Sequence, residues 1–154
     1  MFKLDSILVP MDFSDHSEHA LDYAIGLAKK SGAGIQLLHC YGVEMFSTIA
    51  YGPNHVPRIP ADFEQEVKKA AGEKLAGYRD KVAAEGIETG CHMSSLFPSE
   101  AIGKTAGDLD CSLIVMGTHG LTGLKHILLG SVAERVIRTA PCPVLTLKAP
   151  RKAA

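Results

Sequence analysis

Three glycines and a serine in the last third of the chain have a spacing that could hold a phosphate group, Gly117-x2-Gly120-x9-Gly130-Ser131. They lie between an apolar run typical of a strand and a segment with helical periodicity. Glycine has no Cβ, so such a loop can bring backbone N–H groups close to a ligand, and a helix N-terminus favours negative charge. The spacing matches neither the P-loop, where a Lys follows the last Gly, nor the GxGxxG of dinucleotide folds. The loop therefore predicts a phosphate site of neither common kind.

A second interpretation of the same loop needs no ligand. Three glycines often only shape a turn, and Ser131 with Glu134 three residues later can form an ordinary capping box at the start of the next helix. The rest of the chain has to decide between the two.

Length, composition and charge indicate one compact domain. The chain has 154 residues, of which 46% are hydrophobic and 21% charged, with a net charge of -1. This balance gives no general attraction to nucleic acid or to an anionic membrane. Apolar runs stay far below the length of a membrane span, and no basic-then-apolar leader begins the sequence. We therefore expect a cytoplasmic protein with no nucleic acid or membrane partner.

The cysteines favour neither a disulfide framework nor a metal site. Cys40, Cys91, Cys111 and Cys142 are scattered without a CxxC pair, as is typical of buried cytosolic thiols. His39-Cys40 and Cys91-His92 could approach each other on neighbouring strands. Adjacent residues of a strand point to opposite faces, however, so each pair offers only one ligand to a face.

The chain alternates between strands and amphipathic helices. Short apolar runs predict buried strands, and apolar residues at helical spacing predict the helices between them. The strands predicted in this way are Ile7 to Pro10, Ile35 to Cys40, Leu113 to Met116 and Val144 to Leu147. Ile87 to Ser94 is predicted as a weaker, more polar strand at a sheet edge. The predicted helices start at Ser14 or Asp15, at Phe63, at Pro98 and at Ser131. Residues 41–61 are rich in Pro and Gly, and a lid over the site and plain disorder are both left open.

This alternation predicts an α/β fold, a single doubly wound domain with a five-stranded parallel sheet in the order 3-2-1-4-5. Ligands bind such sheets at the carboxyl ends of the strands where the winding reverses, here the first and the fourth. Asp12 follows the first strand, and Met116 and Gly117 end the fourth. Asp12 could accept hydrogen bonds from ribose hydroxyls, hold a metal through water, or simply cap the first helix.

Three segments carry a family resemblance: ILVPMDFSDHSEHAL, LAKKSGAGIQLLHC and LIVMGTHGLTGLKHILLGSVAERVIRTAPCPVL. Together they resemble the universal stress protein family over nearly the whole chain, and the glycine spacing resembles that of its ATP-binding branch. The resemblance implies a universal stress protein domain over 1–149, with a short tail over 150–154. It also implies a Rossmann-like fold, similar to that of the adenine nucleotide alpha hydrolases.

The resemblance also implies which residues bind the nucleotide. Adenine and ribose would be surrounded by one group of residues, namely Pro10, Asp12, Leu38, Met116 and Gly117. The phosphates would be held by a second group, namely His119, Gly120, Gly130, Ser131 and Val132. Two positions depart from the family pattern: Phe13 stands where many members have Gly, and Leu96 stands where a Gly-x-Pro pattern is common.

Three functions compete at this point. The resemblance favours a regulatory homodimer of the stress response that binds ATP, with or without Mg²⁺, and pairs through Val144 to Leu147; its protein partner is unknown. A slow nucleotide hydrolase or adenylyl-transfer enzyme, and a nucleotide-free dimeric interaction module, are the alternatives. We expect ATP to be bound far better than it is hydrolysed, because Lys125 and His126 lie mid-loop and Asp12 is expected on the ribose side, too remote to serve both a metal and the attacking water.

Overall fold

Strands and helices alternate along the whole of the described chain. The structure, a computed structural model, describes residues 1–42, 54, 60–120 and 129–148. The elements are β1 Ser6–Pro10, α1 Asp15–Ser31, β2 Gly34–Cys40, α2 Ala61–Ala83, β3 Thr89–Ser94, α3 Pro98–Asp108, β4 Leu113–Gly117, α4 Ser131–Thr139 and β5 Val144–Leu147. Most of the loop expected over 41–61, and both Lys125 and His126, lie outside the described residues.

The sheet has the predicted topology. Its five strands are all parallel in the order β3-β2-β1-β4-β5, which confirms the expected α/β doubly wound fold. β1 pairs with β4 through Ile7 opposite Leu113 and Leu8 opposite Ile114. This pairing brings the carboxyl ends of β1 and β4 side by side, at the point where the chain reverses its winding direction.

The helices cover both faces of the sheet. Ile7 and Val9 of β1 pack in a core with residues of α1 and α2, whereas Leu8 packs in a second core with residues of α3 and α4. Successive strand residues point to opposite faces, so a strand buried on both sides needs apolar residues throughout. This is why β1 reads as an unbroken apolar run. None of the described helices combines the length and the apolar character needed to cross a lipid bilayer.

Local signals set the ends of α1. Ser14 is its N-cap, and the Ser14 hydroxyl accepts a hydrogen bond from the backbone N–H of Ser17 at 3.2 Å. Gly32 ends the helix in the left-handed conformation, with φ of 80°, which residues with a Cβ adopt at a cost. The start of the helix agrees with the sequence prediction.

Two helix expectations differ from the structure, since the capping box of Ser131 and Glu134 does not form and α2 begins at Ala61, two residues before the predicted start at Phe63. Ser131 is the first residue of α4, after Gly130 as N-cap, and no side chain caps this helix; Glu134 pairs with Arg138 at 2.9 Å instead of closing a capping box. In α2, only Leu75 and Val82 are buried and Phe63 is 51% exposed. The 23 residues of α2 span about 35 Å, whereas the 6 residues of β3 span about 20 Å. The helix is longer than the strand it packs on.

Candidate ligand-binding site

A pocket of about 400 Å³ opens at the carboxyl ends of β1, β2 and β4. Every site residue expected from the sequence lines it: Pro10, Asp12, Leu38, Met116, Gly117, His119, Gly120, Gly130, Ser131 and Val132. They come from three strand ends and from the first turn of α4, and the sheet order is what brings them together. The two groups of residues assigned to base, ribose and phosphates thus face one cavity.

Much of the wall is apolar. Leu38, Met116 and Val132 are joined by Ile102 and Phe97, which belong to α3 and to the residue before it. Sequence reasoning did not assign Phe97, Pro98 or Ile102 to the site. The available signal was that α3 begins just after the carboxyl end of β3, on the same edge of the sheet as the other site residues.

The glycines of the loop lie close to other atoms of the protein itself. A Cβ on Gly130 would lie 2.9 Å from the carbonyl oxygen of Thr118, which already accepts the Gly130 N–H at 2.7 Å. A Cβ on Gly120 would lie 2.5 Å from Asp12 Oδ2, and one on Gly117 would lie 3.0 Å from the Cβ of His16. At Gly130 the close atom belongs to the backbone, so this position requires glycine. At Gly120 the Asp12 carboxylate would have to move, and at Gly117 the neighbours would have to give by a few tenths of an ångström.

Asp12 reaches the glycine loop. Its Oδ1 accepts the backbone N–H of Ser14 at 3.0 Å and the Ser14 hydroxyl at 2.5 Å, while Oδ2 lies against Gly120. Asp12 was expected on the ribose side of the pocket, and its carboxylate also reaches Gly120 of the glycine loop. The cause is a tight turn over Asp12, Phe13 and Ser14, closed by the side chain, in which Phe13 has a φ of 65°. Ser14, and not Asp12, caps α1.

His39 joins the pocket to a group of aromatic residues. Its Nδ1 lies 2.6 Å from the carbonyl oxygen of Met11, and its ring stacks on Phe13 with centroids 4.3 Å apart. Burial lowers the pKa of His39, and the hydrogen bond to Met11 opposes this only in part. A neutral imidazole with the proton on Nδ1 satisfies both contacts. Beside it, burial raises the pKa of Cys40 to about 11, which leaves an unreactive thiol in the pocket wall.

His119 lies at the other end of the pocket. Its Nδ1 is 2.9 Å from the hydroxyl of Thr118, and its ring centroid is 5.8 Å from that of His16. No group of three or more His, Cys, Asp or Glu residues able to hold a metal ion occurs within the described residues. Any metal at this site would thus need ligands from a bound molecule or from water as well.

Comparison with known proteins identifies the family. The model of the universal stress protein family matches residues 3–148. The chain belongs to the universal stress protein family. Universal stress protein YxiE of Bacillus subtilis is 34% identical over 149 residues, covering 94% of this chain and 99% of the relative. Universal stress protein MJ0531 of Methanocaldococcus jannaschii is 37% identical over 151 residues, covering 95% of this chain and 83% of the relative.

Solved structures of universal stress proteins share the fold. One, in complex with dAMP, comes from Archaeoglobus fulgidus; it has a TM-score of 0.64 and 24% identity, covering 95% of this chain and 98% of that protein. Another, in complex with cAMP, has a TM-score of 0.66 and 23% identity, covering 96% of this chain and 99% of that protein. Some universal stress proteins with this fold therefore bind adenine nucleotides.

Proposed function

We propose that this universal stress protein binds ATP, with or without Mg²⁺, in the pocket at the carboxyl ends of β1 and β4. The observation that carries the proposal is the convergence of an apolar wall, a carboxylate and an uncapped helix N-terminus on one cavity. A flat base packs on an apolar wall, ribose hydroxyls bind a carboxylate, and phosphates bind a helix N-terminus. The adenine nucleotides bound by two universal stress proteins of the same fold support the choice of base.

Each part of the nucleotide has a suitable neighbour. The base would pack against Leu38 and Met116, which are almost fully buried and contribute apolar wall. The ribose hydroxyls would donate to the carboxylate of Asp12. The phosphates would accept backbone N–H groups from the first turn of α4, beginning with Ser131, where the helix dipole favours negative charge.

The test fills the pocket with a larger side chain. Val132 is only partly buried and lines the cavity, so Val132→Trp should occupy the space of the nucleotide. Ile137→Trp on the same helix is the matched control, since Ile137 is 47% exposed. Calorimetry should find ATP binding to the wild type and to Ile137→Trp, but not to Val132→Trp. If the wild type carries no nucleotide on purification and binds none, the nucleotide-free interaction module replaces this proposal.

We also propose that the protein acts as a homodimer through β5, with ATP occupancy as the signal read by a partner protein. β5 is the last strand of the sheet, and its residues are only half-buried in the single chain. The carbonyls of Pro143 and Leu147 accept N–H groups of Ile114 and Thr118 from the β4 side. By alternation, Val144 and Thr146 point their backbone groups to the open edge, where a second copy can pair antiparallel across a two-fold axis.

The alternation supplies a clean test of the dimer. Thr146→Pro removes an N–H from the open edge and leaves the bonds to β4 in place, as edge strands tolerate. Sedimentation at micromolar concentration should show a dimer for the wild type and a folded monomer for Thr146→Pro. Thr146→Val, which keeps the N–H, should remain dimeric. A monomeric wild type, or a dimeric Thr146→Pro variant, would contradict the interface.

A further inference from the structure

Phe13 has a backbone conformation that is unusual for an aromatic residue. Its φ is 65°, in the left-handed region that glycine adopts readily and bulky residues rarely adopt. Among the described residues, the other non-glycine residue with positive φ is Asp110. Such a conformation persists only when surrounding contacts hold it, and it often occurs beside a functional site. The contacts of the ring therefore need an explanation.

The ring of Phe13 is held by residues from two other elements, which we call the Phe13 cluster: His39, Tyr78 and Lys74. It stacks on His39 of β2 with 4.3 Å between centroids and 21° between planes. It lies nearly parallel to Tyr78 of α2 at 5.9 Å. Lys74 Nζ, also on α2, is 4.7 Å from the ring centroid, within range of a cation–π contact. The ring thus connects the β1–α1 turn to β2 and α2.

The backbone of Phe13 sets the direction of the Asp12 side chain. Phe13 is the middle residue of the turn in which Asp12 Oδ1 accepts the N–H of Ser14 at 3.0 Å. With that bond made, Asp12 Oδ2 lies against Gly120 of the glycine loop. Glycine at position 13 would allow this turn but would also allow several others, because it has no preferred sign of φ. A ring fixed by its neighbours keeps the turn in one conformation.

We infer that Phe13 is a positioning residue of the ligand site, whose ring, held by β2 and α2, fixes the turn that presents the Asp12 carboxylate to the glycine loop. The inference rests on the proposed function for its ligand-binding readout. It extends the site beyond the pocket, since Phe13, Lys74 and Tyr78 do not line the cavity. It also means that the surface of α2 is coupled to the pocket, so a substitution of Lys74 changes ligand affinity although Lys74 does not line the pocket.

Affinity measurements test this role with matched variants. Phe13→Gly accepts the φ of 65° without strain but lacks the ring, so we expect this variant to fold. It should bind ATP about tenfold more weakly, because it loses one well-placed hydrogen bond between the ribose and the Asp12 carboxylate. Phe13→Tyr keeps the ring and should bind like the wild type. Lys74→Met should weaken binding in the same direction, whereas Lys69→Met, at an exposed lysine of the same helix, should not. Tyr23→Ala controls for loss of an exposed aromatic side chain.

A readout without ligand separates this inference from the proposed function. In the ligand-free protein, the amide resonance of Gly120 should shift in Phe13→Gly and stay in place in Phe13→Tyr, because only the first releases Asp12. If the wild type binds no ATP, the proposed function fails, and the Gly120 resonance still decides the positioning role. An unmoved Gly120 resonance in Phe13→Gly overturns the inference. So does equal ATP affinity of Phe13→Gly and the wild type, or an equal loss in Phe13→Gly and Phe13→Tyr.

Discussion

The N-terminus of α4 offers a substitution that removes one N–H of the proposed phosphate site and little else. Ser131 is the first residue of α4 and is exposed, and Gly130 before it has φ of -68° and ψ of 156°. That extended conformation is the one a residue before proline adopts, and proline is favoured at the first helical position because its missing N–H has no partner within the helix. Ser131→Pro should therefore leave α4 intact, including the bond from Glu134 N–H to the Gly130 carbonyl at 3.0 Å.

The magnitude follows from the charge of the phosphate. A hydrogen bond to a charged group contributes about 1.5–3 kcal/mol, so loss of the Ser131 N–H should weaken ATP binding roughly 10- to 150-fold. An exposed substitution at a compatible site changes the free energy of unfolding by less than about 0.5 kcal/mol. Ser131→Ala is the matched control, because it removes the hydroxyl and keeps the N–H. The difference in affinity between the two variants measures the N–H alone.

Calorimetry with two ligands completes the experiment. ATP should bind Ser131→Ala much more tightly than Ser131→Pro, while adenosine, which has no phosphate, should bind both variants equally. The substitution of Gly130 is a poorer choice, since a Cβ there would lie 2.9 Å from the Thr118 carbonyl oxygen whether or not a ligand is present. Equal ATP affinity of the two Ser131 variants, or an equal loss of adenosine binding in Ser131→Pro, would refute the phosphate assignment.

Three further outcomes are expected. Steady-state phosphate release should stay well below about 1 per second, because no Lys or Arg occurs among the described residues that line the pocket; faster turnover that is lost in His119→Ala would favour the hydrolase. Thermal unfolding should show stability falling as the pH drops below 6.5, the ordinary pKa of histidine. Burial lowers the pKa of His39 and His92 in the folded protein, so the unfolded chain takes up protons first as the pH falls. A melting temperature that stays constant down to pH 5 would contradict this. Denaturant titration should find Gly32→Ala destabilised by about 1–2 kcal/mol, because position 32 has a φ of 80°. Gly77→Ala, inside α2, should be stabilised by about 0.5–1 kcal/mol. Equal effects of the two substitutions would contradict the argument that the backbone conformation decides the sign.

The topology was predictable because it depends on patterns that the sequence repeats. The central strands β1 and β4 are short apolar runs, and strand-like and helical segments alternate, so the order of elements and the parallel sheet follow from general rules. The position of the pocket follows in turn, since the reversal between β1 and β4 determines where Asp12 and Gly117 meet. The apolar contribution of Phe97 and Ile102 was missed because it depends on how closely α3 approaches that edge, which periodicity does not specify.

The direction of a single side chain was not predictable in the same way. Asp12 was expected on the ribose side of the pocket, and the contact of its Oδ2 with Gly120 was not foreseen. The difference arises at Phe13, whose left-handed backbone is held by a ring contact with His39 and a cation over its face from Lys74, 61 positions along the chain. Contacts between residues so distant in sequence leave no periodic signal.

A carboxylate at the glycine loop also changes the electrostatics there, because it opposes bare phosphate and favours a nucleotide whose charge is partly neutralised by a cation. This effect of the carboxylate is tested by measuring how the affinity for ATP depends on Mg²⁺ in the wild type and in Asp12→Asn. Removing the metal should weaken ATP binding to the wild type and have little effect on ATP binding to Asp12→Asn.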